Sequence, residues 1–355
     1  MILVVNSGSS SIKVELFDAG LASVIEGAVS EIGGAARLRL GAQAQAVAAP
    51  DHAAALGQLL QALAAQGITV DRLTAVAHRI VHGGAHLTAP ARLTPAVLAQ
   101  ISACNDLAPL HNPHNLSGIA AVMRLAPDLP QYGSFDTAFH ATNPDLAVTY
   151  AIPQAERDKG IRRYGFHGLS YAGLVDHLRP NLPDRLLALH LGNGSSLCAI
   201  VEGRSVANSM GYSPLDGLVM GSRAGSIDGM AVLRMASDHG IDHAAHILNH
   251  DSGLRALGGT HNMAQLLALD TDQARFAVDH FCYWAGRQAG SAIVAMGGVD
   301  AIAFTGGIGE NAAAVRDRIM GHLACFGTVP VYVVPAEEER QIARDALSLM
   351  QGGTA

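Results

Sequence analysis

The chain reads as an α/β protein made of two duplicated halves, and three features predict this. At 355 residues it is long for one hydrophobic core, so two domains are expected. Apolar strand segments alternate with helical ones along most of its length. One motif also occurs twice: VVNSGSSSIKVEL near the start superimposes on LHLGNGSSLCAIV, with Gly8 on Gly194 and Ser9-Ser10 on Ser195-Ser196. Each copy is an apolar strand, a Gly-Ser-Ser turn and a second apolar strand. Glycine and serine populate turns of every kind, so a chance likeness of two hairpins is the competing explanation. On the duplication reading, each half supplies one phosphate-facing hairpin to a shared cleft.

Residues 1–18 read as strand, turn, strand. ALGQLLQALAAQG (55–67) has apolar residues at helical spacing and stops on Gly67. LTAVAHRIVHGG (73–84) is a buried strand running into a glycine pair, and NLSGIAAVMRLAP (115–127) is a helix stopped by proline. LLALHLGNGSSLCAIVEG (186–203) repeats strand, turn, strand. DQARFAVDHFCYWAGRQAGSAIVAMGG (272–298) is a long helix closed by glycines. DAIAFTGGIGENAAAVRDRIMGHL (300–323) is strand, glycine turn and helix, VPVYVVP (329–335) is a strand, and the chain ends in a helix. An Ala/Gln/Pro-rich patch at 41–50 reads as a surface loop.

Composition narrows the function. Hydrophobic residues make up 49%, but the excess is mostly alanine and no apolar run is long enough for a membrane span. The N-terminus enters a strand directly, without the basic region or cleavage site of a signal peptide. Cys104, Cys198, Cys282 and Cys325 show no CxxC spacing, which suits a reducing cytosol. A formal charge of −7 argues against a general nucleic-acid binder, so neither nucleic acid nor membrane is an expected partner.

The first hairpin resembles a phosphate-binding turn but lacks GK[ST], and it leads into a strand rather than a helix. Backbone N–H groups and serine hydroxyls of such a turn can still reach phosphate oxygens, because glycine permits close approach. Further polar residues sit on turns: Arg79 in HRIVHGG, His111 in DLAPLHNPHN, Asp136 in SFDTAFH, His167 exposed between glycines in RRYGFHG, and Arg223 in MGSRAGSID. A lone loop arginine is ordinarily surface and a lone histidine ordinarily structural. Together they have the composition that stabilises charge on a transferring phosphoryl group. His78, His82 and His86 are not aligned by a strand, and no HExxH occurs, so a structural zinc or iron site is not indicated. FTGGIGENA contains G-x-G-x-x-A (Gly307, Gly309, Ala312) between a strand and a helix, with Glu337, Glu338 and Glu339 beyond the next strand. That is formally a dinucleotide fingerprint and leaves an oxidoreductase as an alternative. Too little chain follows for the rest of a dinucleotide sheet, so a contact to the far end of a nucleotide is the preferred reading.

With NSGSSSIK, HRIVHGG, LAPLHNPHN, FDTAFH, YGFHG, HLGNGSS, MGSRAGSID and FTGGIGEN in this order, the chain resembles the acetate kinase family. That family belongs to the superfamily sharing the duplicated, ribonuclease H-like fold of actin and hexokinase. The likeness runs from Ile2 to about Asp345. It implies one domain at 1–137, onto which 340–355 packs back, and a second at 138–339. It implies reversible, direct in-line transfer of the ATP γ-phosphoryl group to acetate, giving acetyl phosphate and ADP. Mg²⁺ (or Mn²⁺) and a cytoplasmic homodimer are also implied. Propionate, or a different donor in a catalytically altered relative, are alternatives.

Motif by motif, the resemblance places Asn6 and Glu338 around the metal and Ser9, Ser10, Ser11 and Lys13 on the first phosphate turn. Arg79 and Arg223 would clamp the carboxylate and the phosphoryl group. His167, Asn193 and Gly194 would touch the transferring phosphate, and His190, Gly192, Gly307, Ile308 and Asn311 the nucleotide. His111 and Asp136 belong to the same site, and Val81, Leu110, Phe166 and Pro214 match the pocket for the acetate methyl. Three departures stand out. GLSY replaces the family's GTSH, so Tyr171 stands in place of a histidine; Gly229 stands where proline is usual; and Asn262 and Ala264 stand where an Asp and an Arg hold adenosine.

Overall fold

The segment Ile2–Ser7 (β1) is apolar except at its end, and it is the strand on which the first half is assembled. A computed structural model describes residues 1–353. The chain divides into residues 1–139, joined by the segment from Glu337 onward, and His140–Ala336. In the first unit β1 pairs antiparallel with β2 (Ile12–Phe17), followed outward by β3 (Ser23–Ser30), β4 (Arg37–Leu40) and β5 (Gln43–Ala46). On its other side β1 runs parallel to β6 (Ala75–Ile80), with β7 (Ala91–Arg92) and β8 (Gln131–Phe135) beyond. The order is β5-β4-β3-β2-β1-β6-β8-β7.

The second unit contains β9 (Arg185–Leu191), β10 (Ser195–Val201), β11 (Arg204–Asn208), β12 (Ala301–Thr305) and β13 (Val331–Val333), in the order β11-β10-β9-β12-β13. Strands β10 and β11 are antiparallel extensions of β9, whereas β12 and β13 run parallel to it. The run β3-β2-β1-β6-β8 has the same order and the same directions. A chance likeness of two hairpins would not extend to five strands, so the fold is α/β with duplicated halves.

The structure corrects several local expectations. The patch at 41–50 contributes an edge strand, β5, rather than only a loop. Its side chains are all exposed, so main-chain pairing makes it a strand and no apolar pattern announces it. The two hairpins also differ at the turn. The first closes at Ser7 opposite Ile12 and the second at Leu191 opposite Ser195. The second turn is thus shorter, and Ser195 and Ser196 fall on β10 with no exposure, whereas Ser9 and Ser10 are exposed at a tip. The serine pairs are not equivalent.

Helix starts follow their caps. Asp51 accepts from Ala54 N at 2.8 Å, which begins the helix His52–Ala65 ahead of the expected boundary. Pro113 in the first turn likewise starts Asn112–Leu125 before residue 115. The segment after β12 breaks at Ala312 into Gly306–Asn311 and Ala313–His322. The long helix Asp272–Ala295 buries Ala277, Phe281, Ala285 and Ala289 against Leu187, Leu189, Leu197 and Phe304 of the second sheet. Their i, i+4 spacing makes one stripe, and its alanines allow close packing. The last helix, Glu338–Met350, buries Ile342, Ala343 and Ala346 and packs on β1, β6 and β8. Its acidic first turn lies by their carboxyl ends.

His78, His82 and His140 are buried in these layers. His78 Nε2 donates to Gln131 at 2.7 Å, and His140 Nδ1 lies 2.8 Å from Ser205 Oγ. Burial pushes each down from 6.5 to about 4. Between those values the unfolded chain binds more protons than the folded one. Stability is therefore complete above 6.5 and falls as pH drops toward 4, each histidine withdrawing roughly 3 kcal/mol. Denaturant unfolding should show a lower midpoint at pH 5 than at pH 7; equal midpoints would contradict this.

Candidate active site

At the carboxyl ends of β1, β6 and β8 the first unit gathers Asn6, Arg79 and Asp136. Arg79 Nε and Nη2 donate to the two Asp136 oxygens at 3.1 and 2.8 Å, and its Nη1 meets Glu338 at 3.2 Å. The Arg79 side chain is 20% exposed and that of Asp136 only 3%. Burial alone would lower the Arg79 pKa, but Asp136 and Glu338 outweigh it and the guanidinium stays charged. Burial pushes the Asp136 carboxyl up against the pull of Arg79. Both of its oxygens are taken, which suits holding a guanidinium better than accepting a substrate proton.

The two residues expected around the metal make separate contacts: Glu338 meets Arg79, and Asn6 Nδ2 donates to Glu339 Oε1 at 3.5 Å. Neighbouring helical residues point about 100° apart, so sequence position alone does not say which glutamate turns toward β1. The surroundings are acidic. Burial raises the Glu15 pKa, and Glu339 and Glu337 raise it further.

The first turn is held from behind by residues the sequence reading missed. Gly8 N donates to Ser11 O at 2.8 Å, closing the turn, and His52 Nε2 donates to Gly8 O at 2.7 Å. Asn115 Nδ2 donates to Ser7 O at 2.8 Å while its Oδ1 accepts from Val81 N at 3.1 Å. That one amide ties the end of β1 to the end of β6. Asn115 lies within the quoted HNPHN stretch, but nothing marks His52. Ser9, Ser10 and Lys13 are exposed, Ser11 and Val81 are intermediate, and Leu110 is largely exposed. His111 is the N-cap of Asn112–Leu125.

In the second unit His167 caps the helix Gly168–Leu178 in the left-handed region, φ 59 and ψ 22, uncommon for a residue with a Cβ. It is half-buried rather than exposed. Its Nδ1 lies 2.9 Å from Ser196 Oγ, and its ring stacks on His190 at 4.2 Å. His190 Nδ1 lies 2.8 Å from Ser170 Oγ. A Cβ on Gly194 would lie 3.2 Å from His167 Nε2 and 3.7 Å from Arg223 Nη1, so both groups converge on that turn. Gly306, at φ 78, approaches Leu191 O so closely that a Cβ would fall 2.8 Å from it. Gly192, Gly306 and Gly307 therefore meet beside His190.

Arg223 differs from Arg79. Its Nη1 donates to Pro214 O at 3.2 Å, and among the described residues it makes no salt bridge. Burial lowers its pKa. Phe166 is 1% exposed, and its carbonyl accepts from His140 Nε2 at 2.9 Å. The four residues expected around the acetate methyl divide between the units, Val81 and Leu110 in the first and Phe166 and Pro214 in the second.

Beside the glycine turns lies a cavity of about 310 Å³, lined by Asn193, Asn262, Met263, Ala264, Ile308 and Asn311 among others. Asn262 Oδ1 caps the helix Met263–Ala268 by accepting from Gln265 N at 3.1 Å, and Asn311 Nδ2 donates to Gly307 O at 2.9 Å. The oxidoreductase alternative fails on topology. Gly307–Gly309 lies within a helix of only six residues, Gly306–Asn311, beside a sheet whose other side is antiparallel.

The family model described as the Acetokinase family matches residues 1–344. The acetate kinase of Nitrobacter hamburgensis is 40% identical over 389 residues, covering 98% of this chain and 96% of that protein. Among solved structures, a propionate kinase from Francisella tularensis superimposes with a TM-score of 0.93 at 32% identity, over 97% of this chain and 98% of that one. Porphyromonas gingivalis acetate kinase gives 0.91 at 31%, over 98% and 99%.

The two arginines should respond differently to removal. Arg79→Ala takes the guanidinium from the buried Asp136 carboxylate, and denaturant unfolding should show a loss of about 3–5 kcal/mol. Arg223→Met removes a partly buried cation that has no carboxylate partner among the described residues, and should change stability by less than about 1 kcal/mol. Equal losses would refute the distinction.

Proposed function

The chain belongs to the acetokinase family and is a phosphotransferase with acetate as acceptor, and we propose that it moves the ATP γ-phosphoryl group to acetate directly and in line. Acetate is already ionised at neutral pH, a carboxylate pKa lying near ~4–5, so its oxygen attacks without a general base. The enzyme's task is to align two anions and offset their repulsion. The convergence of His167 Nε2 and Arg223 Nη1 on the Gly194 turn is the observation that carries this reading. Arg223, without a carboxylate partner, is assigned to the charge of the phosphoryl group. Arg79 Nη1, now on Glu338, is assigned to the acetate carboxylate, with Asp136 holding the rest of its fork.

The residues fit magnesium, or manganese. Asn6 and Glu338, with Glu339 beside them, offer hard oxygen donors in an acidic neighbourhood. Among the described residues no three His, Cys, Asp or Glu side chains converge on a metal site, which suits an ion that keeps waters and takes further ligands from phosphates. When bound, the ion supplies charge neutralisation at the nucleotide phosphates. Ser9, Ser10, Ser11 and Lys13 are assigned to phosphate oxygens, and the 310 Å³ cavity to the nucleoside.

A second copy of the chain is the proposed partner. The helix Gly229–His239 buries none of its residues and exposes Met230 (71%) and Leu233 (61%), with Ile241 (79%) following. Such a patch calls for a cover. A cytoplasmic location is proposed because Cys104, Cys198, Cys282 and Cys325 are all free thiols. The likeness to a propionate kinase makes propionate the nearest competing acceptor, since one methylene discriminates by only ~1–3 kcal/mol.

With ATP, Mg²⁺ and acetate, hydroxylamine trapping should yield acetyl hydroxamate. No product at saturating acetate would end the proposal. Gly194→Ala should lower kcat about ten- to a hundred-fold in a folded protein, because the new methyl displaces His167. Met230→Asp with Leu233→Asp should give monomers by light scattering, and a monomeric wild type would remove the dimer.

A further inference from the structure

We infer that Tyr171 is a positioning residue: acting through Ser196, it fixes which nitrogen of His167 carries the proton. The inference rests on reading His167 as a group that touches the transferring phosphoryl. Tyr171 is fully buried, at 0% exposure, and sits in the first turn of Gly168–Leu178, its N–H donating to His167 O at 3.1 Å. Its hydroxyl lies 2.6 Å from Ser196 Oγ, and that same oxygen is 2.9 Å from His167 Nδ1.

A serine hydroxyl has one hydrogen and two lone pairs. A phenol is a stronger acid than an aliphatic alcohol, so Tyr171 donates to Ser196. That leaves the hydrogen of Ser196 for His167 Nδ1, and with Nδ1 accepting it the neutral ring holds its own proton on Nε2, the nitrogen that faces the Gly194 turn beside Arg223. An N–H in that place donates to an anionic phosphoryl oxygen, whereas the other tautomer would present a lone pair to it. The histidine usual in the resembling family could take part as donor or acceptor. The phenol sets one direction.

The first test is the tautomer itself, read from ¹⁵N imidazole shifts of wild-type protein, where His167 should carry its proton on Nε2. A proton on Nδ1 would overturn the inference without need of any variant. Tyr171→Phe removes one oxygen and keeps the ring. It should shift His167 toward the Nδ1–H form and lower kcat about ten-fold or more, with KM for acetate and ATP within about two-fold. Ser196→Ala cuts the same chain, so the double variant should be no slower than Ser196→Ala alone. Wild-type kcat in Tyr171→Phe, or losses that multiply in the double variant, would overturn it. A wild type that makes no acetyl phosphate would refute the acetate reading instead, and the ¹⁵N result would still decide the tautomer.

Discussion

In the second unit backbone comes closer to its neighbours than a Cβ permits, and the polar side chains are arranged around that constraint. Gly194 has His167 Nε2 and Arg223 Nη1 within reach of the space a methyl would fill. Gly306 lies against Leu191 O at a distance no other residue could accept. Both positions are strand ends, held by a sheet whose core is closed by the long helix Asp272–Ala295. The repeated strand order puts a corresponding turn, Gly8–Ser11, at the end of β1. Rigid strands deliver these turns, and the polar residues behind them fix their shape.

The two arginines express two uses of one side chain. Arg79 is saturated by Asp136 and Glu338, so it stabilises the first unit as well as serving the reaction assigned to it. Arg223 leans on the Pro214 carbonyl and the Met220 sulfur and holds a charge in surroundings that disfavour it. Desolvation that is costly without an anion becomes an advantage when one arrives, because the attraction is then poorly screened. The same contrast applies to the histidines. His78 and His140 are buried neutral in the layers, while His167 sits at a helix start in a conformation only local constraint sustains.

Much of this was legible in the sequence. The hairpins, the strand–glycine–helix unit after β12 and the polar residues on turns all follow from local pattern, since strands and turns are dictated largely by near neighbours. What was not legible depends on packing or register. Which of Glu338 and Glu339 meets Arg79 and which meets Asn6 is a rotation about a helix axis, fixed only when Ile342 and Ala346 dock. Ser195 and Ser196 moved from turn to strand because the second turn is one residue shorter than the first, a matter of pairing register. Strand β5 has no buried face and so no hydrophobic signal. His52 grips the Gly8 carbonyl across 44 positions of sequence, and a lone histidine at a helix start announces nothing.

The most direct measurement is a crystal structure with ADP, acetate, magnesium and aluminium fluoride, the fluoride standing in for the transferring phosphoryl group. It should lie at the Gly194 turn within hydrogen-bond distance of His167 Nε2 and the Arg223 guanidinium. A fluoride bound elsewhere, with Arg223 still resting on the Pro214 carbonyl, would contradict the assignment of these groups to the charge in flight.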